Sequence, residues 1–199
     1  MKLILNTFAL LVATLFISTS LQAQFFEDFE DGDKSGYSGA SVSLSTGSWY
    51  IEDALIGNLS NDKYNGTKGV RMDRRDGKFG NIYMEFDKTG GANELSFAYA
   101  NYGSSSGNKL QVQYSTDQGS SWTNIGEELT ATSDLEIATI AVNIEGNIRF
   151  KFIHSAGDER LNIDDIGITD FVVASEDPTI NVLVDKASTN DSDEIDFGS

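Results

Sequence analysis

Between Leu95 and Trp122 the sequence runs LSFAYANYGSSSGNKLQVQYSTDQGSSW. Leu95, Phe97 and Tyr99 alternate with smaller residues, and Leu110, Val112 and Tyr114 do the same after a Gly/Ser-rich break. A period of two puts each trio on one face of a strand, so the segment predicts two antiparallel strands with apolar inner faces, joined as a hairpin. A third strand can return from Trp122 to Ile125. A β-sheet core is the frame on which the other segments hang.

From Gln24 onward nearly every segment with a pattern is a strand of this kind. Phe25 to Glu30 is an apolar and acidic opening, and Val42–Leu44 and Trp49–Ile51 flank the turn Thr46-Gly47-Ser48. Gly69–Asp73 and Phe79–Phe86 flank Arg74-Arg75-Asp76-Gly77-Lys78, where Asp-Gly is a hairpin signal. Leu135–Val142, Ile148–His154 and Leu161–Val173 follow. The single proline, Pro178, falls after the last of them, and no stretch carries a capped 3.6-residue apolar period. Many short strands punctuated by turns predict an all-β fold, an antiparallel β-sandwich of jelly-roll type.

The two ends differ from this body. Lys2, the apolar run Leu3–Ile17 and the small-residue stretch to Ala23 make residues 1–23 a secretory signal peptide, so the chain is expected to be secreted or displayed at the cell surface. Residues 24–173 are then the sandwich. Ala174–Pro178 has the composition of a linker, and Thr179–Val184 and Ile195–Gly198 look like the incomplete start of a second β domain, making 174–199 a separate unit. One strand docked on the first domain is the alternative.

Charge narrows the partners. The sequence carries 14 basic and 31 acidic side chains, net −17, and Lys2 is the only charged residue of residues 1–23, so the exported chain stands at −18. Such a surface repels nucleic acid and anionic membrane as a whole, and it leaves carboxylates free for calcium. Cysteine is absent, so no disulfide staples the fold. A body of about 150 residues can bury a sufficient core without one.

Four groups of residues could carry chemistry. Glu27-Asp28-Phe29-Glu30 near the start and Asn162-Ile163-Asp164-Asp165 near the end meet if the first and last strands of a jelly roll lie together. Asp28, Glu30, Asp164 and Asp165 are therefore candidate ligands of a structural calcium ion; pairing of the two aspartates with Arg149, Lys151 or Arg160 is the alternative. Arg74, Arg75 and Lys78 could form a phosphate-binding tip, although Asp62, Asp73 and Asp76 sit among the same basic residues. Trp49, Tyr50, Tyr99, Tyr102 and Trp122 are the aromatics that a surface for polysaccharide or cell-surface glycan would need; Tyr102, Trp49 and Tyr50 are the candidate ligand-binding residues, with alternation pointing Trp49 and Tyr99 towards the core. Ser115-Thr116-Asp117-Gln118-Gly119-Ser120-Ser121-Trp122 resembles the Asp-box of sialidases and other secreted β proteins, which is a folding device rather than an active site.

No enzymatic constellation is present. His154 is the only histidine, and Gly-x-Ser-x-Gly, His-Glu-x-x-His and phosphate-loop motifs do not occur. The chain is expected to be a non-catalytic binding module, or alternatively a structural or adhesive spacer that presents further domains of the same polypeptide.

An ordered series of pieces adds a resemblance. Phe26–Glu30, Gly47-Ser48-Trp49 with Asp53–Gly57, Leu95-Ser96-Phe97, Tyr99–Gly103, the Ser115–Trp122 box, Gly146–Phe150 and Arg160–Ile166 together resemble a jelly-roll accessory module of secreted Bacteroidetes proteins. Similar modules sit beside extracellular endonucleases, and the looser pattern is similar to carbohydrate-binding, cleaved-adhesin and MAM-like jelly rolls. The resemblance spans residues 25–171. It implies calcium ligation by Glu30 and by Asp164 or Asp165, and it likens Ile195–Gly198 to an early strand of an Ig-like domain.

Overall fold

The computed structural model describes residues 25–173. The expected signal peptide and the expected linker with its Ig-like start lie outside the described residues. Twelve strands are described: β1 (Phe25–Glu27), β2 (Ala40–Leu44), β3 (Gly47–Glu52), β4 (Ala54–Gly57), β5 (Gly69–Asp73), β6 (Asn81–Met84), β7 (Ala92–Asn101), β8 (Lys109–Ser115), β9 (Thr123–Thr130), β10 (Glu136–Ile144), β11 (Arg149–Ala156) and β12 (Arg160–Thr169). They form two antiparallel six-stranded sheets. The first has the order β10-β7-β12-β5-β4 with β1 added on β12, and the second has the order β2-β3-β6-β11-β8-β9. The fold is a β-sandwich jelly roll.

Alternation within each strand builds the core. Trp49, Ile51, Ile82, Met84, Leu110, Phe150 and Phe152 point inward from the second sheet, and Leu95, Phe97, Leu161 and Ile163 from the first. The Phe97 and Phe152 rings meet edge to face across the layers with centroids 5.1 Å apart. Burying each such ring stabilises the fold by roughly 1.5–3 kcal/mol.

Two expected hairpins are instead crossings between the sheets. β7 pairs with β10 and β12, whereas β8 pairs with β11 and β9, so the Gly/Ser-rich break carries the chain from one layer to the other. β5 and β6 likewise lie in different sheets. Asp76 and Gly77 do adopt the positive φ angles, 57° and 77°, that Asp-Gly favours, but the turn redirects the chain across the sandwich. The β2–β3 and β8–β9 connections are true hairpins. The first crossing is held from inside: Asn108 donates to the Asn101 side chain at 2.6 Å, and Asn101 donates to the Ala131 carbonyl at 2.6 Å. His154 Nε2 lies 3.1 Å from Asn108 Oδ1. Burial, aided by Arg74, pushes the His154 pKa down to about 4, so the ring is neutral near pH 7.

Candidate functional site

One candidate lies where β12 changes partner. Arg160–Ile163 pair with β5, and Ile166–Ile168 pair with β1, on the same edge of β12. Between them Asp165 and Ile166 stand opposite the single residue Phe97 of β7, a β-bulge in which Asp165 takes a φ of 50°. The bulge leaves Asp164 and Asp165 in a gap between β1 and β5, and the loop before β5 fills it. Asn65 donates its backbone N–H to Asp164 Oδ2 at 2.8 Å and its side-chain amide to Asp165 Oδ2 at 2.5 Å. Glu30 accepts from the Thr67 N–H at 2.7 Å, from the Thr67 hydroxyl and from the Lys68 N–H at 3.2 Å. Gly66, at a φ of +70°, passes so close to Glu30 that a side chain there would collide with the carboxylate.

The gap holds more negative charge than its protein partners neutralise. Asp164 is fully buried, and its Oδ1 has no hydrogen-bond partner among the described residues. Burial, with the charges of Asp165 and Glu30, pushes its pKa up to about 7. The cations expected as alternative partners are elsewhere: Arg149 pairs with Asp87, Arg160 approaches Asp73, and Lys151 is on the other sheet. Asp28 spends one oxygen on the Glu30 N–H. An orphaned, buried carboxylate oxygen beside a second carboxylate fits a hard cation such as calcium. Among the described residues no three metal-ligating side chains converge, so Glu30 and Asp164 would hold the ion together with backbone carbonyls.

The other candidate is the outward face of the second sheet. Register sets Ser41, Tyr50, Tyr83, Lys151, Gln113 and Asn124 side by side in one row crossing β2, β3, β6, β11, β8 and β9. The Tyr50 and Tyr83 rings stack at 5.1 Å, and Trp122 lies 5.8 Å from Tyr83. Lys151 Nζ sits over both rings, 5.6 Å from the centroid of Tyr83 and 5.7 Å from that of Trp122. Beside the row is a cleft of about 410 Å³, lined by Tyr83, Glu85, Gln118, Trp122, Arg149 and Lys151.

The Asp-box explains why Trp122 stands there. Ser115 Oγ donates to Asp117 at 2.7 Å and accepts from the Gly119 N–H at 2.8 Å, while Ser121 donates to Asp117 from its N–H at 2.9 Å and from its hydroxyl at 2.6 Å. These bonds hold the Asp117 carboxyl down at about 2. Gly119, with a φ of +85°, lies over the Trp122 ring. The box is a turn clamp whose tryptophan also completes the aromatic face.

The expected ligand aromatics are not brought together. Tyr50 is in the row. Trp49, one residue earlier, points the other way: it is fully buried, packed edge-on against Phe29 at 5.9 Å, and unavailable as a platform. Tyr102 lies at the end of the first sheet between the guanidinium groups of Arg71 and Arg160, at 5.1 and 5.2 Å. The expected anion-binding tip is also consumed internally. Arg75 and Lys78 both bind the buried Asp73, and Arg74 donates to the carbonyls of Gly157 and His154. Burial would raise Asp73, but Arg75 and Lys78 hold it down at about 2. Trp122 was among the aromatics a sugar-binding surface would need, whereas Tyr83 and Lys151 were not expected in a ligand site. Alternation with the inward Ile82, Met84, Phe150 and Phe152 is the signal that turns Tyr83 and Lys151 outward.

Comparison with known proteins bears on the fold. No protein-family model and no curated protein matches the chain. Among solved structures it is similar to the K2 cleaved adhesin domain of Lys-gingipain, with a TM-score of 0.54 and 20% identity over 74% of this chain and 99% of that one. It is also similar to the CBM22-1 xylan-binding domain of Xyn10C from Paenibacillus barcinonensis, with a TM-score of 0.53 and 10% identity over 77% of this chain and 97% of that one. Both likenesses are of architecture.

Proposed function

We propose that this chain is a secreted, non-catalytic module of a larger polypeptide that binds polysaccharide or cell-surface glycan through the outward face of its second sheet. The observation that carries this reading is the row from Tyr50 to Asn124, in which aromatic rings and amides lie side by side beside a cleft. Sugars present apolar ring faces and hydroxyl edges together, and aromatic rings with adjacent amides match both. Six strands at the usual spacing make the row about 24 Å long, a footprint for an extended polymer rather than a single sugar. The fold shared with a domain named as xylan-binding supports the same reading, and residues 1–23 support export.

Calorimetric titration of the purified chain against a panel of polysaccharides tests this. At least one should bind, and Tyr83→Ala and Trp122→Ala should each weaken that binding while the melting temperature stays near its original value. A panel that binds nowhere, or binding indifferent to both substitutions, moves the protein to the spacer role.

The gap at the β12 bulge is assigned a separate, structural part. Glu30 and Asp164 would hold calcium there, and the ion would neutralise their charge and fasten the loop before β5 to the last strand. It takes no part in glycan contact.

A further inference from the structure

We propose that the cleft at Tyr83, Trp122 and Lys151 takes an acidic sugar, a uronate ring whose carboxylate meets Lys151. The inference rests on the glycan reading above and deepens it.

The aromatic rings of this face are not bare. Tyr50 and Tyr83 present their faces to one another, with 27° between their planes, and Lys151 covers Tyr83 and Trp122. A ligand entering the cleft therefore meets an ammonium group together with the rings. That ammonium is uncompensated. Among the described residues Lys151 makes no ion pair and no side-chain hydrogen bond, and its neighbours in the row, Tyr83 and Gln113, are neutral. Glu52 is the acid whose field reaches it, yet burial dominates and holds the lysine pKa below its ordinary value. A ligand carboxylate would reverse that penalty.

The other charges of the cleft are already committed. Glu85 accepts hydrogen bonds from the hydroxyls of Ser41 at 2.9 Å and Ser48 at 2.6 Å. Arg149 is bound through Nε to Asp87 at 2.5 Å, which leaves its Nη1 beside Gly119. The lining thus holds Lys151 and Arg149 against Glu85, with Asp87 offsetting Arg149, on a chain of net charge −17. Carboxylates elsewhere on the surface oppose an anion only weakly, because their fields are screened over about 8 Å at physiological ionic strength. A neutral sugar would leave Lys151 half-desolvated and unpaired. A uronate pairs it.

The test is calorimetric titration of the purified chain with oligosaccharides of galacturonate, glucuronate and mannuronate, each beside its methyl ester, and with a sulfated galactan oligosaccharide. At least one uronate should bind about ten-fold or more tightly than its ester, as a charge-assisted hydrogen bond predicts. The preference should shrink at high salt and vanish in Lys151→Met, while Lys151→Arg retains it. Equal binding of acid and ester, or a preference for the sulfated ligand over every uronate, overturns the acidic-sugar inference and leaves the glycan reading standing. Absence of binding to acids, esters and neutral polysaccharides alike, by a chain with an unchanged melting profile, overturns both.

Discussion

The bulge of β12 and the outward face of the second sheet have opposite electrostatic deficits. At the bulge, Asp164 is buried beside Glu30 and Asp165 with one oxygen unpartnered among the described residues. On the sheet face, Lys151 lies over two aromatic rings with no acid paired to it among the described residues. The first deficit is enclosed between β1, β5 and a loop, so whatever fills it becomes part of the fold. The second opens to solvent, so whatever fills it can come and go. Charge left uncompensated inside a molecule is a question about stability, and charge left uncompensated in a cleft is a question about ligand.

The largest expected effect separates the two regions outright. At pH 7, saturating calcium should raise the melting temperature by about 5–10 °C over chelator, because a ligand held only by the native state at a hundredfold its dissociation constant contributes about 2.7 kcal/mol. Asp164→Ala should abolish the shift, and Lys151→Met should leave it intact. No shift in the parent chain would mean that the bulge carboxylates hold no ion.

Acidity sharpens the same contrast in chelator. The Asp164 carboxyl titrates at about 7 in the fold against an ordinary 3.8. The native state therefore holds this proton more tightly than the unfolded chain. Its stabilisation is full below about pH 3.8 and is lost as pH rises through 7. Melting profiles taken from pH 4 to 8 should fall more steeply for the parent than for Asp164→Asn, and calcium should flatten the parent curve. Parallel curves would break this account of the gap.

A smaller effect is expected at the Asp-box. Asp117→Ala removes three hydrogen bonds of the turn, so the melting temperature should drop by a few degrees. Glycan affinity should weaken too, because the turn positions Trp122. Retained affinity would show that Trp122 is oriented by Tyr83 and Lys151 alone. Tyr102→Ala should change glycan affinity least, since this ring lies between Arg71 and Arg160 at the end of the other sheet. A loss of binding there would move the ligand surface.

The two regions also differ in how far they can be read from the chain. The approach of Glu30, just after β1, to Asp164 and Asp165 can be anticipated because the first and last strands of a jelly roll usually lie close together. The orphaned oxygen is not legible, because it depends on a bulge at which β12 exchanges β5 for β1. On the sheet face, alternation turns Tyr50 and Tyr83 outward and Trp49 inward, so Trp49 is a core residue on its own strand's evidence. The row itself needs register: Tyr50 meets Tyr83, and Tyr83 meets Lys151, only through pairings between strands distant in sequence.

The same division runs through the fold. Alternation decides which side of a strand faces the core, and local turn chemistry decides where the chain bends, as at Asp76-Gly77 and Ser115–Trp122. Both are properties of a few consecutive residues. Whether two inward faces lie side by side in one sheet or oppose each other across the core is not, because the period of two is the same either way. The chain from Leu95 to Trp122 has the pattern of a hairpin and adopts a crossing. Long-range burial, with Phe97 against Phe152 and Asn101 bonded to Asn108 beneath the turn, made that choice.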